Sequence, residues 1–170
     1  MKKSGNDIVK DLLIIGYGNP GRADDGLGVA FAEEIEKLTY DYIEIESDYQ
    51  LSVEHAYDIS KSKLAILADA HTSCSEPFEL RQVKPSPAFS FTTHSVSPEN
   101  IVKFANDLSG GEKEVFILGI RGYEFNIFKE TITERAQINL KKTLDCFKNV
   151  LKESNPAIIR NSLQKICLQG

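Results

Sequence analysis

The chain has 170 residues, enough for one domain with a substantial hydrophobic core. A formal net charge of −5 and the absence of a basic stripe argue against nucleic-acid binding, and no apolar run is long enough to span a membrane. The N-terminal segment lacks the apolar stretch of a signal peptide. The three cysteines are widely spaced, so we expect no disulfide framework, no thiolate metal site and a cytoplasmic location.

Five runs predict β-strands, at residues 12–17, 42–47, 63–69, 78–83 and 114–120. The first, third and fifth are apolar throughout, which is typical of central parallel strands covered on both faces. The fourth alternates between apolar and polar residues and therefore predicts an edge strand, which could be antiparallel.

Helical spacing and capping residues predict helices at 25–38, 53–60, 97–108 and 131–152. Ser97 before Pro98 is typical of a helix start, and either Thr131 or Thr133 could cap the last long helix. Strands that alternate with helices predict a three-layer α/β/α sandwich around a mostly parallel, twisted sheet of about five strands.

The chain divides into a predicted single domain, residues 1–152, and a C-terminal tail, residues 153–170. A helix stop precedes Pro156, and apolar residues then recur at near-helical spacing. We expect a short helix docked on the domain, while a helix that binds a partner protein is the alternative.

An acidic pair, Asp24-Asp25, lies at the junction between the first predicted strand and the first predicted helix. We call residues 16–29 the acidic-pair segment. Ligand sites of open α/β sheets form at the carboxyl ends of strands, so both carboxylates are candidates for a functional site. The segment also contains Gly16-x-Gly18-x-x-Gly21, the dinucleotide-binding pattern, and a nucleotide-binding module therefore stays an alternative. The pair places negative charge where phosphates would lie, which argues against it.

The acidic-pair segment resembles the first motif of the hydrogenase maturation proteases, endopeptidases that trim the C-terminus of a nickel–iron hydrogenase large subunit. Their first strand ends in G-x-G-N, and a turn, an acidic pair and G-x-G follow. The matching positions are Gly16, Gly18, Asn19, Asp24, Asp25, Gly26 and Gly28. The resemblance implies that Asp25 is a metal ligand and that Asp24 caps the helix or supports the site, with Asn19 beside them.

Two further candidates follow from the later strands. Asp69 ends an apolar strand and should emerge at the same edge of the sheet; the resemblance implies that it is the second metal-binding acid. The family carries a histidine ahead of the helix that precedes its last strand, and His94 occupies that place. His71 competes, because alternation would put it on the same side as Asp69 if the strand continued. His55 is expected to be a structural or surface residue.

Together Asp25, Asp69 and His94 form the predicted catalytic and metal-binding set. Oxygen and imidazole ligands suit nickel or zinc, and the resemblance implies nickel carried by the precursor; zinc or cadmium could occupy the isolated site. Gly119-Ile120 also fits a family strand end. The loop beyond it could line a peptide cleft through Arg121 and Tyr123, although aromatic packing is an alternative.

The resemblance thus implies an endopeptidase that removes a C-terminal peptide from the nickel-loaded large-subunit precursor of a nickel–iron hydrogenase. We expect a monomer whose partner is that precursor. A peptidase of the same fold that acts on another precursor remains the nearest alternative.

Overall fold

A computed structural model describes residues 10–85 and 96–169 of the chain. The strands are β1 (Lys10–Tyr17), β2 (Ile43–Asp48), β3 (Ser62–His71), β4 (Phe78–Gln82) and β5 (Glu114–Arg121). The helices are α1 (Leu27–Glu36), α2 (Glu54–Ser60), α3 (Pro98–Ser109), α4 (Glu134–Leu151) and α5 (Pro156–Cys167).

The five strands form one sheet in the order β2-β1-β3-β5-β4. Neighbouring strands are parallel except β4, which runs antiparallel to β5 at one edge. The predicted three-layer α/β/α architecture with a mostly parallel sheet is confirmed, including the antiparallel edge strand. Because β1 and β3 are adjacent and parallel, the residues that follow them meet at one edge of the sheet.

The helices cover both faces of the sheet, and the alternating side chains of β1 divide the core between them. Leu12 and Ile14 pack with apolar residues of α1, α4 and α5 in one cluster. Leu13 and Ile15 pack with residues of α2 and α3 in the other. This two-sided burial explains why the central strands are apolar throughout.

Two helices begin two or three residues later than the sequence predicts. Residues Ala23–Gly26 form a turn of 3₁₀ helix, and α1 begins only at Leu27. At the other helix, Thr133 is the N-cap and its side chain accepts a hydrogen bond from Ala136 N–H, so α4 begins at Glu134 and not at residue 131. The predicted alternative cap, Thr133, is therefore the correct one.

The C-terminal helix α5 packs against the domain. Asn155 caps it, accepting a hydrogen bond from Ala157 N–H at 2.9 Å. Ile159 and Leu163 are fully buried in the cluster that contains α1 and α4. Across the described residues, no helix combines the length and the apolar character that crossing a bilayer requires.

Candidate functional site

The acidic-pair segment turns sharply at the carboxyl end of β1. Gly18 has φ +130°, and a Cβ there would lie 2.0 Å from the carbonyl oxygen of Asp25. Its N–H donates to the carbonyl of Asp48 at 3.1 Å. Only glycine fits this conformation and this close approach, and the result is that Asp25 lies against the end of β1.

Asn19 fixes the position of Asp25. The Asn19 N–H donates to Asp25 Oδ2 at 3.0 Å, while Asn19 Oδ1 accepts from Gly21 N–H at 2.9 Å. The Asp25 side chain is only partly buried, and so it remains accessible at the edge of the sheet. α1 begins only at Leu27, six residues after Gly21, whereas the dinucleotide-binding pattern requires the helix to begin at or near its third glycine.

Asp69 lies at the same edge, near the end of β3. Its Oδ1 accepts a hydrogen bond from Ala70 N–H at 2.7 Å, and its carboxylate also pairs with the hydroxyl of Tyr17. Burial, together with the negative charge of Asp25, raises the pKa of Asp69 to about 6, although both hydrogen bonds oppose the rise. Asp25 and Asp69 are therefore close enough to interact electrostatically.

A cavity of about 260 Å³ opens beside Asp69, on the α3 side of the sheet. Its lining includes Tyr17 of β1, Arg81 of β4 and Pro98 of α3. Burial and then the charge of Asp69 raise the pKa of Tyr17, so its hydroxyl stays protonated and donates to the carboxylate. Arg81 donates to Glu99 at 3.1 Å and supplies a paired positive charge at the wall.

His71 lies in the same cavity lining as Asp69, because β3 continues to residue 71. Its Nδ1 accepts hydrogen bonds from Ser73 N–H at 3.1 Å and Cys74 N–H at 2.9 Å. These bonds occupy one ring nitrogen and fix the orientation of the ring. His94, the histidine predicted for the site, lies outside the described residues.

His55 is buried in α2, in agreement with a structural role. Its Nδ1 accepts from Ser52 N–H at 2.9 Å, and its Nε2 lies 3.7 Å from Asp48 Oδ2.

Asp24 does not cap α1, whose N-cap is Gly26 without a side-chain hydrogen bond. It is fully buried. Asp24 Oδ2 accepts from Tyr123 N–H at 2.8 Å and Glu124 N–H at 3.1 Å, and from Thr133 Oγ1 at 2.9 Å. Asp24 Oδ1 accepts from Thr133 N–H at 2.7 Å. Asp24 therefore does not cap α1, because its carboxylate accepts its hydrogen bonds from the loop after β5; its role in supporting the site stays a prediction.

The two residues proposed for a peptide cleft are largely engaged within the protein. The Tyr123 ring lies between two guanidinium groups, 5.2 Å from Arg121 and 4.2 Å from Arg135. Its hydroxyl donates to Glu76 and accepts from Asn139 Nδ2. The Arg121 guanidinium donates to the carbonyl of Thr72. Together these contacts form an ordered cluster beside the site.

The structure thus joins Asp25 and Asp69 at one edge, with Asn19 supporting the first and Tyr17 the second. No group of three or more His, Cys, Asp and Glu side chains suited to a metal occurs within residues 10–85 and 96–169. A pair of adjacent carboxylates that repel each other still suits a divalent cation chemically, because a cation relieves their repulsion. Tyr17 was not predicted, since only the pairing of β1 with β3 brings its hydroxyl to Asp69.

The chain is similar in sequence and in fold to known proteins. No model of a known protein family matches the chain. A protein of Methanocaldococcus jannaschii that carries a provisional name as a hydrogenase maturation protease is 27% identical over 157 residues, covering 85% of this chain and 98% of that protein.

Solved structures of hydrogenase maturation proteases share the fold. The HycI protease of Thermococcus kodakarensis KOD1 superposes with a TM-score of 0.67 at 19% identity, covering 88% of this chain and all of that chain. The HybD endopeptidase of E. coli superposes with a TM-score of 0.69 at 20% identity, covering 85% of this chain and 93% of that chain. The predicted resemblance to the hydrogenase maturation proteases is confirmed, and the fold is theirs.

Proposed function

We propose that this chain is a hydrogenase maturation endopeptidase, which removes a C-terminal peptide from the nickel-loaded large-subunit precursor of a nickel–iron hydrogenase. The relative from M. jannaschii and the shared fold support this function. The observation that carries it is the convergence of Asp25 and Asp69 at the carboxyl edge of the sheet, where the charge of one raises the pKa of the other.

In this proposal, Asp25, Asp69 and His94 bind the nickel that the precursor carries, and the metal is part of the substrate. Carboxylate oxygens and an imidazole nitrogen are suitable ligands for such an ion. The isolated site could take up zinc or cadmium instead. Binding the ion would remove the repulsion between the two carboxylates, so the apo site is prepared electrostatically for a cation.

Cleavage itself is the hydrolysis of one peptide bond. The oxygen of water bonds to the carbonyl carbon, the C–N bond breaks, and the leaving nitrogen takes a proton. Holding the precursor through its metal would position the scissile bond beside Asp25 and Asp69. Asn19 and Tyr17 contribute by keeping those two carboxylates in place.

We further propose that residues 1–152 form the peptidase domain and residues 153–170 a docked tail, and that the enzyme acts as a cytoplasmic monomer. The three cysteines are free, which fits a reducing compartment. The net charge of −5 fits a protein partner better than a nucleic acid.

The test is intact-mass analysis of the nickel-loaded precursor after incubation with the wild type and with Asp25→Ala, Asp69→Ala and His94→Ala. We expect loss of one C-terminal peptide with the wild type and no mass change with the three variants. Asp107→Ala is the matched control, because Asp107 is an exposed carboxylate on α3, and this variant should cleave as the wild type does.

Two results would contradict the proposal at different points. Full processing by Asp25→Ala would show that the carboxylate pair is not the site. An unchanged mass with the wild type and a properly loaded precursor would show that the enzyme acts on another substrate. A nickel-free precursor should remain uncut, since the metal positions the substrate.

A further inference from the structure

The loop between β5 and α4, residues 122–133, is joined to the acidic-pair segment through the backbone. Ala23 N–H donates to the Lys129 carbonyl at 2.7 Å, and Lys129 N–H donates to the Gly21 carbonyl at 3.0 Å. Arg22 and Lys129 form a parallel β-bridge. The loop is therefore paired by backbone hydrogen bonds with the turn that carries Asp25.

Contacts of Asp24 also join the start of this loop to the acidic-pair segment. The buried carboxylate of Asp24 accepts four hydrogen bonds from the loop, from the N–H groups of Tyr123, Glu124 and Thr133 and from the Thr133 hydroxyl. Gly122 packs so closely on Asp24 that a Cβ at Gly122 would lie 2.9 Å from the Cβ of Asp24. Hydrogen bonds to a buried charge are among the stronger ones, so the loop is held in one conformation.

This fixed loop exposes apolar side chains to solvent. Phe128 is 88% exposed and Ile127 is 41% exposed. The guanidinium of Arg22 lies over the Phe128 ring, 5.5 Å from its centroid. Single exposed apolar residues are common on protein surfaces. Aromatic and arginine side chains, however, are the types that contribute most binding energy at protein interfaces, and here both lie on a rigid segment.

We propose that Arg22, Ile127 and Phe128 form a docking surface for the precursor polypeptide, which recognises an apolar side chain near the cleavage segment. This inference rests on the proposed function. The occupant follows from continuity with the site, because Arg22 is three residues before Asp25 in the same turn and pairs with the loop. Lys129 and Glu130 beside Phe128 have opposite charges, so the surface favours an apolar contact over a charged one.

The surface is distinct from the cluster of Arg121 and Tyr123. That cluster is engaged with Glu76, Asn139 and Arg135. The Phe128 ring, by contrast, is largely free of protein contacts and can be covered by a partner without breaking an internal hydrogen bond. A preformed apolar surface binds with little loss of conformational entropy, which makes it a suitable anchor.

The test is the steady-state cleavage of the nickel-loaded precursor by Phe128→Ala and by Leu168→Ala. Leu168 is the matched control, because it is also 88% exposed but lies at the end of α5. We expect Phe128→Ala to raise KM by about tenfold or more while kcat at saturation stays within about twofold. Phe128→Leu should recover most of the affinity, since it restores an apolar contact.

An unchanged KM for Phe128→Ala would overturn the docking surface, and so would an equal rise for Leu168→Ala. Sedimentation of the wild type and of Phe128→Ala tests whether the surface binds a second copy of the chain instead. If the substitution abolishes self-association without changing KM, the surface binds a second copy and the proposal is wrong. Failure of the wild type to cut the precursor would refute the proposed function itself, which makes the two failures distinguishable.

Discussion

Asp24 and Asp25 are adjacent in the chain but have different surroundings. Asp24 is fully buried and accepts four hydrogen bonds from the loop after β5, so its lone pairs are committed to the protein. Asp25 is partly exposed and accepts a hydrogen bond from Asn19. Of the two carboxylates, only Asp25 can therefore accept a ligand from outside without breaking the fold.

Tyr17 offers a test at the level of one hydrogen bond. Its hydroxyl stabilises the ionised form of Asp69, whose pKa is about 6. In Tyr17→Phe that stabilisation is lost, and we expect the pKa of Asp69 to rise by roughly one pH unit. NMR titration of the Asp69 carboxyl carbon measures the change.

The control for this experiment is Tyr57→Phe, which removes a hydroxyl from an exposed tyrosine on α2. It should leave the titration of Asp69 as in the wild type. A lower or unchanged pKa of Asp69 in Tyr17→Phe would mean that the hydroxyl does not stabilise the carboxylate.

The sequence identified Asp25 and Asp69 because both follow apolar strands and both match a motif of a known family. It did not predict the partners of Asp24 or the bond from Tyr17, because these depend on which strands are neighbours and on how a distant loop folds back. Propensity and periodicity describe one segment at a time, so they do not predict contacts across the sheet.

Among the structural elements, α1 approaches β1 and β3 more closely than side chains would allow. A Cβ on Gly28 would lie 2.2 Å from the carbonyl oxygen of Ala68 and 2.4 Å from that of Tyr17. Gly16 and Gly28 therefore allow the helix and the sheet to pack in direct backbone contact.

We expect Gly28→Ala to lower the free energy of unfolding by about 3 kcal/mol, because the methyl group must push α1 off the sheet. Urea denaturation of the whole chain measures this loss. Gly111→Ala is the matched control, since a Cβ there meets nothing within 4 Å, and it should leave the stability nearly unchanged. Equal stability of Gly28→Ala and the wild type would mean that the helix can shift without loss.

The prediction for β5, residues 114–120, differs from the structure by one residue, whereas β3 begins one residue earlier and runs two residues further, to His71, than the apolar pattern predicts. The start of α1 was predicted two residues early, because the 3₁₀ turn at Ala23–Gly26 depends on Asp24 reaching a loop that lies far along the chain. The sequence alone does not distinguish Thr131 from Thr133 as the cap of α4. Thr133 is selected because its N–H and hydroxyl both bind Asp24.

At the scale of the whole molecule, repulsion between neighbouring acidic side chains lowers the free energy of unfolding. Burial and the negative charges of Asp58, Glu44 and Asp48 raise the pKa of Glu46 to about 7 from an ordinary 4.5. A raised pKa favours the protonated form in the folded state. Glu46 therefore stabilises the fold most below about pH 4.5, and this contribution is lost as the pH rises through about 7.

Glu46→Gln removes this dependence. We expect the variant to be more stable than the wild type at pH 8, by on the order of 1 kcal/mol after allowing for solvent screening of a half-exposed group, and no more stable at pH 4.5. Urea denaturation at the two pH values checks both expectations. Glu112→Gln, at an exposed position, should change the stability little at either pH. A gain for Glu46→Gln at pH 4.5 equal to that at pH 8 would contradict the titration.

The layered architecture could be predicted from sequence because apolar strands that alternate with amphipathic helices have few ways to bury their surfaces. The antiparallel placement of β4 was also indicated, by the alternation in residues 78–83. How the loop after β5 closes on the acidic-pair segment could not be predicted, since its hydrogen bonds join residues about a hundred positions apart.

The hydrogen bonds of Asp24 also set the earliest time at which the candidate site can form during synthesis. Its donors lie between 99 and 109 positions further along the chain, the last of them on Thr133. On the ribosome, Asp24 is made about 5–20 s before those donors at ordinary rates of synthesis. Until Thr133 has left the ribosome, the turn that carries Asp25 lacks its anchor, so the candidate site is incomplete in the nascent chain.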